Sequence, residues 1–262
     1  NNSSDDTFKI CSKYAETDKR IMLFKQNLTL SPIENFKFVF DQSSGEYFMW
    51  AAADDTRSHN TIEDCLSTII NNHKCVAATN MEFLGKSNGN NIEMVGTVFE
   101  RAKLFLKKSD SYGLVYSLTK TSLIKDFKFP KKTFYATDWV YICYLIKYGE
   151  IRRSSKSETY FGENGLSNGN KRYSFFRNNL LDWILPLRKA SKSILFLFKD
   201  LSKEEQVVLR KQLAIINFNT AVGQFSFERN ISQRPFIKFL LYKLELLFQK
   251  HKILYLKLCY KL

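Results

Sequence analysis

Two adjacent carboxylates, Asp54 and Asp55, directly follow the apolar run Tyr47 to Ala53, YFMWAAA. A run of that kind reads as a central strand covered on both faces. Ligands of open α/β sheets bind outside the carboxyl ends of the strands. Neighbouring carboxylates repel each other unless a cation is shared. The fitting partner is a divalent cation, Mg²⁺ or Mn²⁺, held by one or two carboxylates together with substrate phosphates. On the pair alone, a solvated Asp-Asp turn or a helix cap is an equal reading. A third carboxylate, Asp138, stands at a predicted helix start in Thr137-Asp138-Trp139. A carboxylate within hydrogen-bond reach can take the proton of an attacking hydroxyl. On the residues alone Asp138 reads first as the helix N-cap, for which Thr137 is another candidate.

The elements that must position these groups follow from pattern. Asp5 or Asp6 can cap a helix from Thr7 to Thr17, and RIMLFK (Arg20 to Lys25) reads as a short buried strand. A second helix is predicted over Ile33 to Gln42, ended by the turn Ser43 to Glu46. After the acidic pair come a helix over Thr61 to Asn71 and a strand over Cys75 to Phe83. Further on, Asp110 to Thr119 reads as strand, Thr137 to Tyr148 as helix and Glu150 to Thr159 as strand, followed by the glycine-rich stretch Tyr160 to Asn170. Alternating helices and strands argue for an α/β fold with a mostly parallel sheet flanked by helices. From Lys171 onward helical patterns dominate. Lys203 to Phe218 is one amphipathic helix capped by Ser202, and Pro235 to Leu262 is another.

With these motifs in order, the chain resembles glycosyltransferase family 2. SSGEYFMWAAADD is similar to the family segment in which an aromatic strand ends in D-x-D or x-D-D. Here the triplet is Ala53-Asp54-Asp55, so the first acidic position is absent. The resemblance assigns Asp55 to the metal, and Asp54 to the donor ribose or the same metal. NNSSDDTFKICSKYAETDKRIMLFKQN resembles the family's S-D-N-x-S-x-D-x-T stretch, matched from Asn1. That makes Asn1, Asn2, Asp5 and Asn27 donor-binding candidates. The family's uracil-contacting Asp would precede Asn1, so the chain is expected to lack the first strand and helix. DSYGLVYSLTKTSLIKDFKFPKKTFYATDWVYICYLIKYGEI resembles the acceptor side. It makes Asp138 the general base of an inverting enzyme, and Tyr112, Gly113 and Trp139 acceptor-binding candidates. Trp139 is equally well read as a core aromatic. In the family's Y-R-x-G-G-x-S segment Phe161 stands where Arg is usual. Arg152, Arg153 and Lys171 are then candidates for charge on the leaving group. The resemblance implies a GT-A-type domain over residues 1–170 and a helical extension over 171–262.

Composition bounds the rest. The 262 residues carry a formal charge of +14, 44% hydrophobic and 15% aromatic residues. Such a bias implies an anionic partner: nucleic acid, an anionic membrane surface or a phosphorylated substrate. The basic residues form no recognised nucleic-acid module, which makes nucleic acid the weaker choice. Five scattered cysteines without a C-x-x-C pair argue against a disulfide framework or cysteine zinc site and for a reducing, cytoplasmic setting. No stretch of 18 apolar residues is free of charge, which argues against a multi-span membrane protein. From Arg229 onward there are eight Lys or Arg against Glu245 alone, with Lys243, Lys250 and Lys257 at heptad spacing. Residues 235–262 could therefore seat the protein peripherally on the inner face of a membrane, or pack as a core helix with a solvated Lys face. The implied substrates are a nucleotide-sugar donor and a glycan or lipid-linked acceptor. The rivals are a non-catalytic, truncated transferase and a basic membrane-surface protein without sugar chemistry.

Overall fold

The computed structural model describes residues 1–84, 87–88, 91–108, 113–162, 173 and 176–261. These divide into two compact units, residues 1–44 with 128–133, and residues 45–127 with 134–262. The expected boundary at residue 170 lies outside the described residues.

In the first unit, helix α1 spans Thr7–Thr17 and α2 spans Pro32–Asp41. The Asp5 carboxylate accepts the Thr7 N–H at 3.0 Å, so the polar start closes the first turn of α1. Ser31 and Glu34 form a capping box on α2, with Pro32 at its first position. Residues 20–25 form no strand, contrary to the sequence pattern. No partner strand lies in this unit, and their apolar side chains pack without a backbone ladder: Phe24 meets Phe38 edge-on at 5.6 Å. Phe40 packs on Phe129 at 6.0 Å, and the Ile33 N–H donates to the Thr133 hydroxyl at 3.3 Å. Those two contacts tie the segment 128–133 to α2.

The second unit holds the sheet. Its strands are β1 (Tyr47–Phe48), β2 (Thr56–Arg57), β3 (Cys75–Leu84), β4 (Ser87–Asn88), β5 (Leu118–Lys120) and β6 (Glu150–Phe161). The order is β1-β5-β3-β6-β2, with β4 paired to β3. The expected parallel pairing is realised in the longest ladder, β3 with β6, running from Cys75 opposite Glu150 to Leu84 opposite Phe161. The shorter ladders are antiparallel. The apolar run after Gly45 supplies only the two residues of β1, because Trp50 turns into the core against Tyr141 at 5.1 Å instead of continuing the ladder. The stretch read as strand over 110–119 contains a 3-10 turn, Leu114–Tyr116, before β5. Gly113 causes the break: its φ of 74° is left-handed backbone, which a strand does not contain.

Helices α3 (Thr61–Ile70), α4 (Val98–Lys108), α5 (Thr121–Lys125) and α6 (Thr137–Tyr148) belong to the same unit. The middle of helix α6 has no solvent face: every residue from Trp139 to Ile146 is buried, while Asp138 and Tyr148 at its two ends are exposed. A helix apolar all round is a core helix. The Arg101 guanidinium donates twice to the Ile146 carbonyl, at 3.0 and 2.7 Å, satisfying an end carbonyl of α6. Gly149 turns the chain from α6 into β6. A Cβ there would stand 2.3 Å from Val76 Cγ1 and 2.7 Å from the Lys74 carbonyl, so only glycine fits.

The C-terminal part is helical, as the sequence suggested: α7 (Leu180–Ile184), α8 (Arg188–Leu197), α9 (Lys203–Ile231), α10 (Pro235–Lys250) and α11 (Lys252–Lys261). Ser202 and Glu205 form the expected capping box on α9. That helix runs well beyond Phe218. Its polar interruptions are absorbed by packing: buried Asn217 accepts the Leu187 N–H at 3.0 Å, and buried Gln224 lies on the Asp182 carbonyl. The tail is two helices, not one, because His251 closes α10 before α11 begins.

Candidate functional site

The acidic pair is positioned by strand pairing. Strand β2 pairs antiparallel with the end of β6, Thr56 opposite Tyr160 and Arg57 opposite Thr159. That pairing sets Asp54 and Asp55 beside the carboxyl ends of the parallel strands β3 and β6, where ligands bind in α/β sheets. The two carboxylates are not equivalent. Asp54 is exposed, while the Asp55 side chain is only 4% exposed. One Asp55 oxygen accepts the Gly162 N–H at 3.2 Å and the other pairs with Arg57 at 3.2 Å. Gly162 lies hard against the pair: a Cβ there would meet the Asp54 carbonyl at 2.4 Å and its carboxylate at 2.7 Å.

Asp138 lies in the first turn of α6 and is exposed. The turn before it is closed by Thr137, whose hydroxyl accepts the Phe134 N–H at 2.8 Å and donates to the Phe134 carbonyl. The residue ahead, Ala136, is left-handed at φ 60°, an unusual conformation for a residue with a Cβ. Thr137 thus closes the turn ahead of the helix, and the N-cap position falls on Ala136, not on Thr137 or Asp138.

One side chain reports on all three aspartates. The Tyr116 phenol is pushed up to about 12, first by burial and then by the negative charges of Asp55, Asp138 and Asp54, with Arg57 opposing. The Arg57 guanidinium also lies 5.7 Å from the centre of the Tyr116 ring. The charges of Asp55, Asp138 and Asp54 thus all act on this phenol, and Arg57, paired with Asp55, lies against its ring. Neither Tyr116 nor Arg57 was singled out from the sequence. Arg57 was legible from strand alternation, which puts residues 55 and 57 on one side. Tyr116 was not, because its orientation depends on the turn that Gly113 makes.

The other candidates separate by location. Gly113 is buried, and a Cβ there would stand 1.7 Å from a Glu82 carboxylate oxygen. Trp139 is 9% exposed and meets Phe105 edge-on at 5.5 Å. Tyr112 and Lys171 lie outside the described residues, as does the stretch 163–170. Arg152 pairs with Glu150 at 2.6 Å, and Arg153 forms a buried pair with Glu82 while donating to the Asn80 carbonyl at 2.9 Å. Asn1, Asn2, Asp5 and Asn27 belong to the first unit and are exposed. The Asn1 carboxamide bonds both backbone groups of Leu30, at 2.8 and 3.0 Å, and Asn2 is left-handed at φ 56°.

Whether these residues suit a divalent cation can be judged from the donor set. Among the described residues, no three His, Cys, Asp or Glu side chains converge. Asp55 has spent one lone pair of each oxygen, leaving further acceptor capacity, and Asp54 is open to solvent. The pair fits a cation whose remaining ligands are substrate phosphates, and does not fit a cation enclosed by protein alone.

No curated protein matches the chain. A solved structure, S. aureus TarS 1-349, is similar at 16% identity over 88% of this chain and 81% of that one, with a TM-score of 0.48. The sequence matches the family described as Glycosyl transferase family 2 over residues 1–136, which takes in the acidic pair, Tyr116 and the turn leading into α6. On that match, with the α/β architecture that the family implied, the chain belongs to glycosyl transferase family 2.

Proposed function

We propose that the chain transfers a sugar from a nucleotide-sugar donor to a glycan or lipid-linked acceptor, by a single displacement with inversion. The observation that carries this reading is the placing of Asp54 and Asp55 beside the carboxyl ends of β3 and β6, with the charges of both and of Asp138 felt at the Tyr116 phenol. Asp138 takes the proton of the acceptor hydroxyl from its place at the start of a buried helix. Asp55 and Asp54 would hold the divalent cation, Mg²⁺ or Mn²⁺, which when bound supplies positive charge to the leaving diphosphate. Arg57 offsets the local negative charge and orients Asp55. Asn1, Asn2, Asp5 and Asn27 are assigned to the donor, and Gly113 and Tyr112 to the acceptor side. Trp139 supports Asp138 from within the core. The GT-A-type domain is taken as residues 1–170 and the extension as 171–262.

A peripheral seat on an anionic membrane through residues 235–262 is part of the same reading. Its support is the exposure of Phe236, Phe239, Leu247, Ile253 and Leu254 beside Lys243, Lys250 and Lys257. Among the described residues no helix is long and apolar enough to cross a membrane.

Calorimetric titration of uridine diphosphate with and without Mn²⁺ tests the donor side. Metal-dependent binding that disappears in Asp55→Ala is expected. Metal-independent binding, or binding unchanged in that variant, removes the cation assignment. If the wild type binds neither uridine diphosphate nor other nucleoside diphosphates, the donor assignment falls; donor binding without sugar transfer would favour the non-catalytic alternative.

A further inference from the structure

A cavity of about 120 Å³ lies in the C-terminal helical region, lined by residues of α8, α9 and α11. It holds Arg188, Ser191 and Lys192 from α8, Arg210 and Asn217 from α9, and Cys259 from α11. Three of these side chains are cationic, and none of the lining residues is a carboxylate. None of the ion pairs among the described residues uses Arg188, Lys192 or Arg210. Two donors there are buried without a hydrogen bond: Arg188 Nε and the Ser191 hydroxyl. Buried polar groups are ordinarily paired, and each exception calls for a reason. The cavity has room for a group much larger than one water.

The chemistry of this lining selects its ligand. Gathered cations repel one another, and a shared anion converts that repulsion into attraction. A guanidinium Nε–H, a hydroxyl and further cationic donors suit an anion with several acceptor oxygens. Asn217 is committed elsewhere: its carboxamide oxygen accepts the Leu187 N–H and its nitrogen lies on the Cys259 sulfur at 3.8 Å. It shapes the floor, and the binding falls to Arg188, Ser191, Lys192 and Arg210. We propose that this cavity is a phosphate-binding site, taking the phosphate group of a soluble phosphorylated molecule or of a lipid headgroup. It does not rest on the transferase reading, because none of its residues belongs to the acidic site.

The test uses the full chain and two variants, Lys192→Gln and Arg210→Gln, with Lys211→Gln as a control on the exposed face of α9. Melting curves by circular dichroism establish that each variant folds, and exposed Lys192 provides a substitution outside the core. Inorganic phosphate is titrated calorimetrically at low salt. In parallel, sedimentation is measured with vesicles of phosphatidylcholine alone and with added phosphatidic acid. Binding of inorganic phosphate that weakens at least roughly tenfold in both cavity variants, and less than about twofold in the control, supports a soluble ligand. Sedimentation with phosphatidic acid vesicles alone, lost in the same two variants, supports the lipid source. Absence of both, or equal losses in Lys211→Gln and the cavity variants, overturns the proposal.

Discussion

The acidic site and the basic cavity handle charge in opposite ways. At the end of β6, Asp55 is buried with a cation on one oxygen and an N–H on the other, and Gly162 lies close against exposed Asp54. Between α8 and α9, Arg188 carries a buried Nε–H with no acceptor and has two further cations for neighbours. In the first region the buried carboxylate, Asp55, has its partners before any substrate arrives. The second is complete only when something anionic joins it. Removing a charge should therefore harm the first region and leave the second indifferent or improved. A buried pair broken on one side strands the other charge, whereas a cation without a partner loses nothing when it goes.

The largest effect expected is chemical. Asp138→Asn should slow transfer about 10²- to 10⁴-fold with donor affinity unchanged, read by steady-state kinetics and nucleotide titration. An equal loss of donor affinity would place Asp138 on the donor instead. Next comes a direct test of the contrast. Arg57→Leu should cost on the order of 3 kcal/mol in urea unfolding because Asp55 is left buried and unopposed. Arg188→Leu should shift stability by no more than about 0.5 kcal/mol, or raise it. Similar costs at both sites would erase the distinction. Gly162→Ala should cost about 1–3 kcal/mol by forcing the Asp54 backbone aside, and donor binding should weaken with it.

The smallest effect at neutral pH belongs to Tyr116→Phe, which becomes visible in alkali. The folded phenol titrates near 12 against an ordinary 10. The unfolded chain therefore releases this proton first, and stability is lost as pH rises through that window. Unfolding midpoints of the Phe variant should fall less steeply above pH 10 than those of the wild type. Parallel curves would mean that neither burial nor the nearby aspartates holds the Tyr116 phenol above its ordinary range.

Much of the framework was legible because it is local. Thr7–Thr17 and Thr137–Tyr148 carry their own stop and start signals, and their bounds agree with the sequence pattern. Ser202 announces α9 through its box with Glu205. What could not be read was decided by partners distant in sequence. Residues 20–25 have strand composition but no strand to pair with. Helix α9 continues through Asn217 because the Leu187 N–H donates to that residue's carboxamide across the fold. In the site, the adjacency of Asp54 and Asp55 is written in the chain, but their inequality is not. It arises from Arg57 and Gly162, the latter contributed by a strand that ends more than a hundred residues later. The cationic cavity was likewise invisible, since its three cations are spread over two helices and no motif joins them.

Helix α6 carries a last consequence. A helix with one wet face can drift slightly as its contacts change, but this one is gripped on every side, from Phe105 at its start to Arg101 at its end. Asp138 inherits its position from the whole core, much as a pointer inherits its reading from the movement behind it. A substitution at Ile142 or Leu145, fully buried, would register in turnover as well as in stability.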